Sequence, residues 1–485
     1  MKYTIACNLL LSAATNAQSS SWATLDGAPI ANTGFSNSVS KRSYNDNFMI
    51  AFGDPNLEGV TTAWTGAQGS YITREIAVEQ TGSQFGHDVQ VAQRQSSDGF
   101  VAIGAPSYKN GTVAVGAASV YKMGSDGTIE KRGETIVGPS FDDGSAGFGT
   151  SLSFLDNESE LVVCNPNDKT LATTTPHGRC FLYWYTILDD DNAWAWIPSP
   201  FVDTALNDYV GEEGDEFGHD VAGDCCIGTN DFSSRYFIVG APGSRNGRGK
   251  ARVVGLKDPN GENRYERYME IAGASDGDRC GTSVSANGGY VAIGCPGAGD
   301  AYNGLVRVFE LSTQQEVGTS GISGLAGEKL GGLNTMDVIH SYQNSDSLIQ
   351  SLKVIVTTSA GIIKHYSYFN DEWIENEEPY DAGGPVRVSG GPYSYSDSYI
   401  SVSAPNLSGN SLILAHTFLT DTPTTSPTPP PSVPPTLLPT KAAIAEPTTM
   451  PFTVAPSTSG GESASGRFVG VAIVASTMMA WILNA

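Results

Sequence analysis

Basic residues are scarce. The 485-residue chain has 27 Lys and Arg against 51 Asp and Glu, a formal net charge of −24. A surface of that sign repels phosphate backbones and anionic lipid heads, so no nucleic-acid partner is expected and passive adsorption to a membrane is disfavoured. Acidic stretches such as Asp189-Asp190-Asp191 and Glu212-Glu213 read as solvated loops. Long helical periods are missing as well: nothing between Ser21 and Leu419 sustains an apolar repeat of 3.6. There is no His-Glu-x-x-His pair and no phosphate-cradling loop before a helix.

Glycine is plentiful, 56 residues spread along the whole chain, where typical usage is ~7%. Dispersed glycines mark many tight turns, as an all-β protein needs. The glycines also repeat. Phe85-Gly86-His87-Asp88 is followed by Ile103-Gly104-Ala105-Pro106, and Phe217-Gly218-His219-Asp220 by Val239-Gly240-Ala241-Pro242. A third copy runs from Cys280-Gly281-Thr282 to Ile293-Gly294-Cys295-Pro296. Weaker copies are Gly34-Phe35 with Phe52-Gly53-Asp54-Pro55, Phe148-Gly149 with Val163-Cys164-Asn165-Pro166, Leu330-Gly331, and Ser403-Ala404-Pro405. A unit of this length cannot bury its own face and must stack on its neighbours.

Each unit reads as four strands, in the second copy Phe85 to Val91, Phe100 to Gly104, Ala117 to Lys122 and Thr128 to Val137. Radial stacking of such sheets gives a β-propeller. The expected fold is therefore all-β, a seven-bladed β-propeller of four-stranded blades over residues 18–420; a parallel β-helix is the alternative. Phe85 and its equivalents are expected to plug the gaps between blades, with Gly86 permitting close backbone approach. The seventh unit supplies three strands, and Ser21 to Leu25 is placed to complete it and close the ring.

The ends read as addresses. Residues 1–17 have the layout of a secretory signal peptide. Residues 421–467 are rich in Pro, Thr and Ser and form a disordered, O-glycosylated stalk by composition. Residues 468–485 are an apolar C-terminal segment, expected to be a helix or an anchor signal. The triplet Ser459-Gly460-Gly461 places glycolipid attachment at Ser459, with Ser457 or Ser463 as alternatives. A single transmembrane span is the competing reading. Both put the chain on the extracellular side of the plasma membrane, joined to the membrane through this segment.

Six cysteines remain beyond the signal, an even number that favours disulfides in an exported chain. Cys280 opens a first strand and Cys295 closes a second. Cys164 ends a second strand and Cys180 starts a third. Hairpin ends bring these pairs opposite each other, so Cys280–Cys295 and Cys164–Cys180 are expected, and Cys225 and Cys226 are left as a vicinal bridge or free thiols. Six buried free cysteines is the bland alternative. The sequons at Asn110, Asn157 and Asn406 fall in expected turns and are candidate N-glycosylation sites.

The units resemble the FG-GAP repeats that build the seven-bladed propeller of integrin α subunits. The second, fourth and fifth copies carry the resemblance, through Phe85-Gly86, Phe217-Gly218 and the stretch from Gly277-Asp278-Arg279-Cys280-Gly281 to Cys295-Pro296. It implies a non-catalytic binding or adhesive role toward an extracellular protein or glycan. An extracellular hydrolase with paired carboxylates on one face is the rival class. Integrin-type blades often hold Ca²⁺ in a loop with Asp or Asn at alternate positions. Here Asp224, Asn230 and Asp231 come nearest, with the wrong spacing, so no cofactor is expected. His87 and His219 hold equivalent places in non-adjacent units and read as structural.

Overall fold

The computed structural model describes residues 22–24, 38–44, 47–56, 58–65, 71–93, 98–139, 147–155, 159–169, 175–187, 194–199, 209–224, 235–257, 264–333, 336–341, 351–381, 387–390, 398–403 and 412–416. The chain divides into two units, Met1–Thr422 and Pro423–Ala485. The described residues all belong to the first. The expected signal peptide, the expected stalk, the apolar tail with Ser459, and Gly34-Phe35 lie outside them, as do Cys225, Cys226, Asn157 and Asn406. Among the described residues no helix is long and apolar enough to cross a membrane.

The fold is all-β, a β-propeller. Among the described residues the strands form seven antiparallel sheets of four or five strands, and one two-stranded ribbon. Sheet 1 comprises Ser38–Tyr44, Asn47–Asp54, Gly59–Thr65 and Tyr71–Ala77. Sheet 2 comprises Val89–Gln93, Gly99–Ala105, Ala117–Met123 and an outer strand split into Ile129–Lys131 and Ile136–Val137. Sheet 3 is Ser151–Phe154, Glu160–Asn165, Arg179–Ile187 and Trp194–Pro198, and sheet 4 is Val221–Asp224, Tyr236–Ala241, Lys250–Lys257 and Arg264–Ala272. Sheet 5 is Ser283–Asn287, Tyr290–Cys295, Leu305–Glu310 and the split Gln315–Glu316 and Ile322–Ser323. Sheet 6 is Met336–Ser341, Ser351–Thr357, Ile362–Phe369 and Glu372–Asp381. Sheet 7 is Arg387–Gly390, Ser398–Ser403 and Leu412–His416, with Trp22–Thr24 paired antiparallel outside Leu412–His416 in the register Trp22↔His416.

Among the described residues the first strands pack against first and second strands of neighbouring sheets, each against the next from sheet 1 to sheet 7, and the first strand of sheet 7 returns to that of sheet 1. The second strands are the most apolar: Gly99–Ala105, Glu160–Asn165 and Tyr236–Ala241 are buried at every position. Strands covered on both faces read as continuous apolar runs, which is why these were legible. Hydrophobic clusters span adjacent sheets. Phe85 packs with Val60 and Ile76 of sheet 1 and with Val89 and Ile103 of sheet 2. Phe148 joins Phe100 and Val120 to Leu161 and Val163, and Phe217 joins Val162 and Leu182 to Val239.

The innermost strand of each sheet has an unpaired edge, and buried amides there need acceptors. Side chains of the preceding sheet supply them. The Leu152 amide donates to Asp88 Oδ2 at 2.8 Å. The Gly223 amide donates to Ser153 Oγ at 2.8 Å, and the Val284 and Gly288 amides donate to Asp220 and Asp224 at 2.8 and 2.7 Å. The Val338 amide donates to Ser285 Oγ at 3.0 Å. Asp224, the nearest approach to a calcium ligand in the sequence, is thus engaged between sheets 4 and 5.

The strand starts need correction. Phe85-Gly86 does not open the first strand, which begins at Val89; it forms the turn before it. The His87 amide donates to Gln84 O at 3.1 Å, and Gly86 has φ +90°. Left-handed φ at the third turn residue is the type II requirement that selects glycine. The turn is fixed to the end of the second strand, since the Gly86 amide donates to Gly104 O at 3.0 Å. That bond is why the two halves of the sequence repeat occur together, and the same link joins Gly218 to Gly240 and Gly281 to Gly294. The fourth strand is also shorter than expected in sheet 2, where Arg132 to Thr135 interrupts it.

Candidate functional site

In sheets 2 to 5 the glycine turn precedes strand 1 and a proline corner follows strand 2. Antiparallel order therefore puts the connections between strands 2 and 3, and those between successive sheets, at one end of the sheets. This loop face is the candidate site. In sheets 4 to 6 its backbone is continuous. The Arg279 and Cys280 amides donate to Gly247 O and Arg248 O, the Gly297 amide to Asp278 O, and the Lys329 and Leu330 amides to Tyr302 O and Asn303 O.

Gln84, Glu216, Arg279 and Lys329 stand two places before the turn glycine, and all four are left-handed, with φ of 60°, 55°, 54° and 52°. Such backbone costs roughly 1–2 kcal/mol per residue outside glycine. Their side chains are polar and tied to the same face. Gln84 Oε1 accepts from Ser107 Oγ at 2.8 Å, Arg279 pairs with Glu216 at 3.4 Å, and Lys329 Nζ lies 5.8 Å from the Tyr302 ring centre. One place earlier, Asp215, Asp278 and Glu328 accept backbone amides of Glu212, Ala274 and Ser275, and Leu325. Asp215 also pairs with buried Lys250 at 2.7 Å and Glu328 with Lys364 at 2.8 Å.

Two apolar side chains stand out of this frame. Tyr302 is left-handed (φ 53°) and 61% exposed, and Leu325 is 69% exposed. Their loops join through the Gly327 amide donating to Ala301 O at 2.9 Å. A bulky aromatic in left-handed backbone is an outlier that core packing does not call for.

The two histidines of the repeat stay structural in environment, and His219 is largely buried. Burial, then the charge of Arg279, then His87 lower the His219 pKa to about 4. Burial also lowers His177, which lies 3.8 Å from buried Asp168. Among the described residues no group of three His, Cys, Asp or Glu is arranged to hold a metal.

Both disulfides are present, Cys164–Cys180 and Cys280–Cys295. Cys164 and Cys180 lie directly opposite in the strand register. Their Cα atoms are 4.0 Å apart, close to the ~4.5 Å of the tighter antiparallel pairs. Asn110 is exposed on the Lys109–Asn110 strand of the two-stranded ribbon, between strands 2 and 3 of sheet 2. A glycan there would occupy the loop face at sheet 2 and leave sheets 4 to 6 open.

Sequence reading missed the glycine before the third strands of sheets 2 to 5. Gly116, Gly249 and Gly304 form parallel bridges with Phe148, Cys280 and Leu330 of the next sheet. A Cβ at Gly178 would lie 2.0 Å from Phe217 O. A glycine just before Ala117, Arg179, Lys250 and Leu305 was the available signal.

No protein-family model matches the chain, and no curated protein matches it. Among solved structures it is similar to BBS1N, crystallised in complex with ARL6DN. For a lead-soaked crystal the identity is 13% and the TM-score 0.46, covering 83% of this chain and 98% of that one. For a mercury-soaked crystal the values are 14% and 0.47, with the same coverage. The fold assignment rests on the sheets themselves.

Proposed function

We propose that this chain is a seven-bladed propeller of the FG-GAP kind, carried outside the cell on a Pro/Thr stalk and a glycolipid anchor, that binds an extracellular protein or glycan without catalysis. The observation that carries the reading is the rigid loop face of sheets 4 to 6, which holds Tyr302 and Leu325 out to solvent. Exposed aromatics set in a hydrogen-bonded polar surround mark binding surfaces. The acids of this face support binding over hydrolysis: Asp215, Asp278 and Glu328 serve their own turns through backbone amides.

The test is a binding screen of the full-length protein, displayed on cells, against arrays of extracellular proteins and glycans. Ligands found should be lost on Tyr302→Ala with Leu325→Ala and kept on Val113→Ala, at the sheet 2 ribbon. Retention of every ligand by the double variant would reject the loop face. A phosphatidylinositol-specific phospholipase should release the protein from the cells, and failure to do so would reject the anchor.

A further inference from the structure

A second aromatic surface lies at the opposite end of the sheets, and the loop-face reading does not use it. In sheet 3 the register pairs Ile187 with Trp194, Tyr185 with Trp196 and Tyr183 with Pro198. Alternate residues share one face of a sheet, so this hairpin carries Tyr183, Tyr185, Trp194 and Trp196 on the same side. Tyr185 and Trp194 stack, with ring centres 5.2 Å apart and planes at 17°. Trp196 stands 5.0 Å from Tyr185.

Sheet 2 backs this stack. The Arg132 guanidinium lies 4.3 Å from the Phe100 ring centre and 4.1 Å from that of Tyr185. Trp196 Nε1–H donates to Arg132 O at 2.9 Å. A Cβ at Gly133 would lie 3.2 Å from Trp196 Cδ1 and 3.4 Å from Tyr185 Cε2, so the seam is closed to within contact. Phe100, Arg132, Tyr185 and Trp194 are successive layers, and the last ends in solvent: Trp194 is 52% exposed. Nothing in the core requires a tryptophan at the first residue of an outermost strand.

We propose that the Tyr185–Trp194 stack, at the seam of sheets 2 and 3, is a carbohydrate subsite that takes a neutral pyranose ring against the indole of Trp194. Three features select this occupant. A flat, pre-ordered aromatic presents a π face to the C–H face of a sugar and loses little freedom on binding. Of the described residues of this hairpin, Trp194 alone is an exposed large hydrophobic, a single indole where a stable protein interface takes ~800 Å² per partner. The cation of the site is held between two rings, and the net charge of −24 repels sulfated, sialylated or phosphate-bearing polymers. A neutral hexose or N-acetylhexosamine is what remains.

The experiment uses the full-length protein with immobilised mannan, β-1,3-glucan and chitin oligosaccharides, and the methyl glycosides of mannose, glucose, galactose and N-acetylglucosamine as competitors. At least one neutral probe should bind and be competed by its glycoside. Trp194→Ala should weaken that binding at least about tenfold, and Trp194→Phe should restore most of it. The Tyr302→Ala, Leu325→Ala double variant should leave it unchanged, which separates this site from the loop face. The proposal is overturned if no neutral probe binds, if binding survives Trp194→Ala, if only anionic polymers bind, or if Trp194→Ala changes the oligomeric mass instead.

Discussion

Replacing Gly240 by alanine tests whether the sheets are held at a fixed separation. A methyl group there would lie 2.0 Å from Gly281 O, 2.9 Å from Gly281 C and 3.2 Å from Gly281 Cα. All three are backbone atoms of the turn that opens sheet 5. That turn is held by the Gly281 amide donating to Gly294 O at 3.0 Å and by the adjacent disulfide. Non-bonded heavy atoms settle near ~3.5 Å, so sheets 4 and 5 would have to part by roughly 1.5 Å. No flexible side chain can yield instead, which puts the cost at the top of the overpacking range, about 3 kcal/mol.

Two other glycines separate sterics from backbone conformation. Gly277 has φ +88° with nothing within 4 Å, so alanine there should cost only the left-handed penalty of ~1–2 kcal/mol. Gly59 also has nothing within 4 Å and lacks a positive φ, so alanine should be neutral or stabilise by up to ~1 kcal/mol. Unfolding entropy of ~2.1 cal/mol/K per residue over ~400 residues makes 1 kcal/mol worth about 1 °C. Calorimetry at one scan rate should therefore show Tm falling by about 3–4 °C for Gly240→Ala and about 1–2 °C for Gly277→Ala, and holding for Gly59→Ala. Equal losses at Gly240 and Gly277 would refute the fixed separation.

Four further outcomes follow from the same contacts. Asp220→Ala leaves the Val284 amide buried without its acceptor at 2.8 Å, and denaturant unfolding should show a loss of about 1–3 kcal/mol; Asp220→Asn should recover part of it. Glu160 is fully buried, takes the Arg235 guanidinium at 2.9 Å and accepts from Tyr265 Oη, so Arg235→Ala, which takes the guanidinium away from a buried carboxylate, should cost about 3–5 kcal/mol, more than Arg235→Lys, which keeps a cation there. Burial raises the Glu79 pKa, but hydrogen bonds from Thr135, Tyr121 and Lys131 outweigh it and bring it to about 2 from 4.5; the stabilisation is full above pH ~4.5 and lost as pH falls toward 2, about 1–2 kcal/mol after solvent screening, and Glu79→Gln should flatten that slope. His219, neutral in the fold with its pKa lowered from 6.5 to about 4, has stability present above pH 6.5 and lost as pH falls toward 4, about 2–3 kcal/mol; an unchanged pH profile in His219→Gln would contradict its burial.

The sequence showed the sheets wherever a strand is buried on both faces. Ile103 to Pro106 and Val239 to Pro242 read as apolar runs with a stop because both faces are covered. The disulfides were legible because hairpin ends are a local property. The turn was not, since Phe85 favours a strand by type while the φ of Gly86 decides for a turn. Gln84, Glu216, Arg279 and Lys329 share no residue type; what repeats is their backbone, which a sequence does not display. The Tyr185–Trp194 stack depends on the register of one hairpin.

The two disulfides show what the repeat conserves. In sheet 3, Cys164 holds the place of the glycine that elsewhere meets the next turn, and a Cβ on Gly218 would lie 2.7 Å from Cys164 Cβ and 3.1 Å from Cys180 Sγ. In sheet 5, Cys280 holds the place of the phenylalanine plug and is 2% exposed. A buried Phe removes ~150–250 Å² from water, and shrinking it to Cys forfeits about 2–3 kcal/mol at ~25 cal/mol/Å². Closing a loop of 15 residues, the separation of Cys280 and Cys295, returns about 3 kcal/mol. The two terms nearly cancel. Both bridges flank sheet 4, Cys164–Cys180 against Gly218 and Cys280–Cys295 beside Gly249. The same spacing between sheets is thus reached by an aromatic plug, a glycine contact or a covalent link, and it is the spacing, rather than any one residue, that fixes where the loops of sheets 4 to 6 stand.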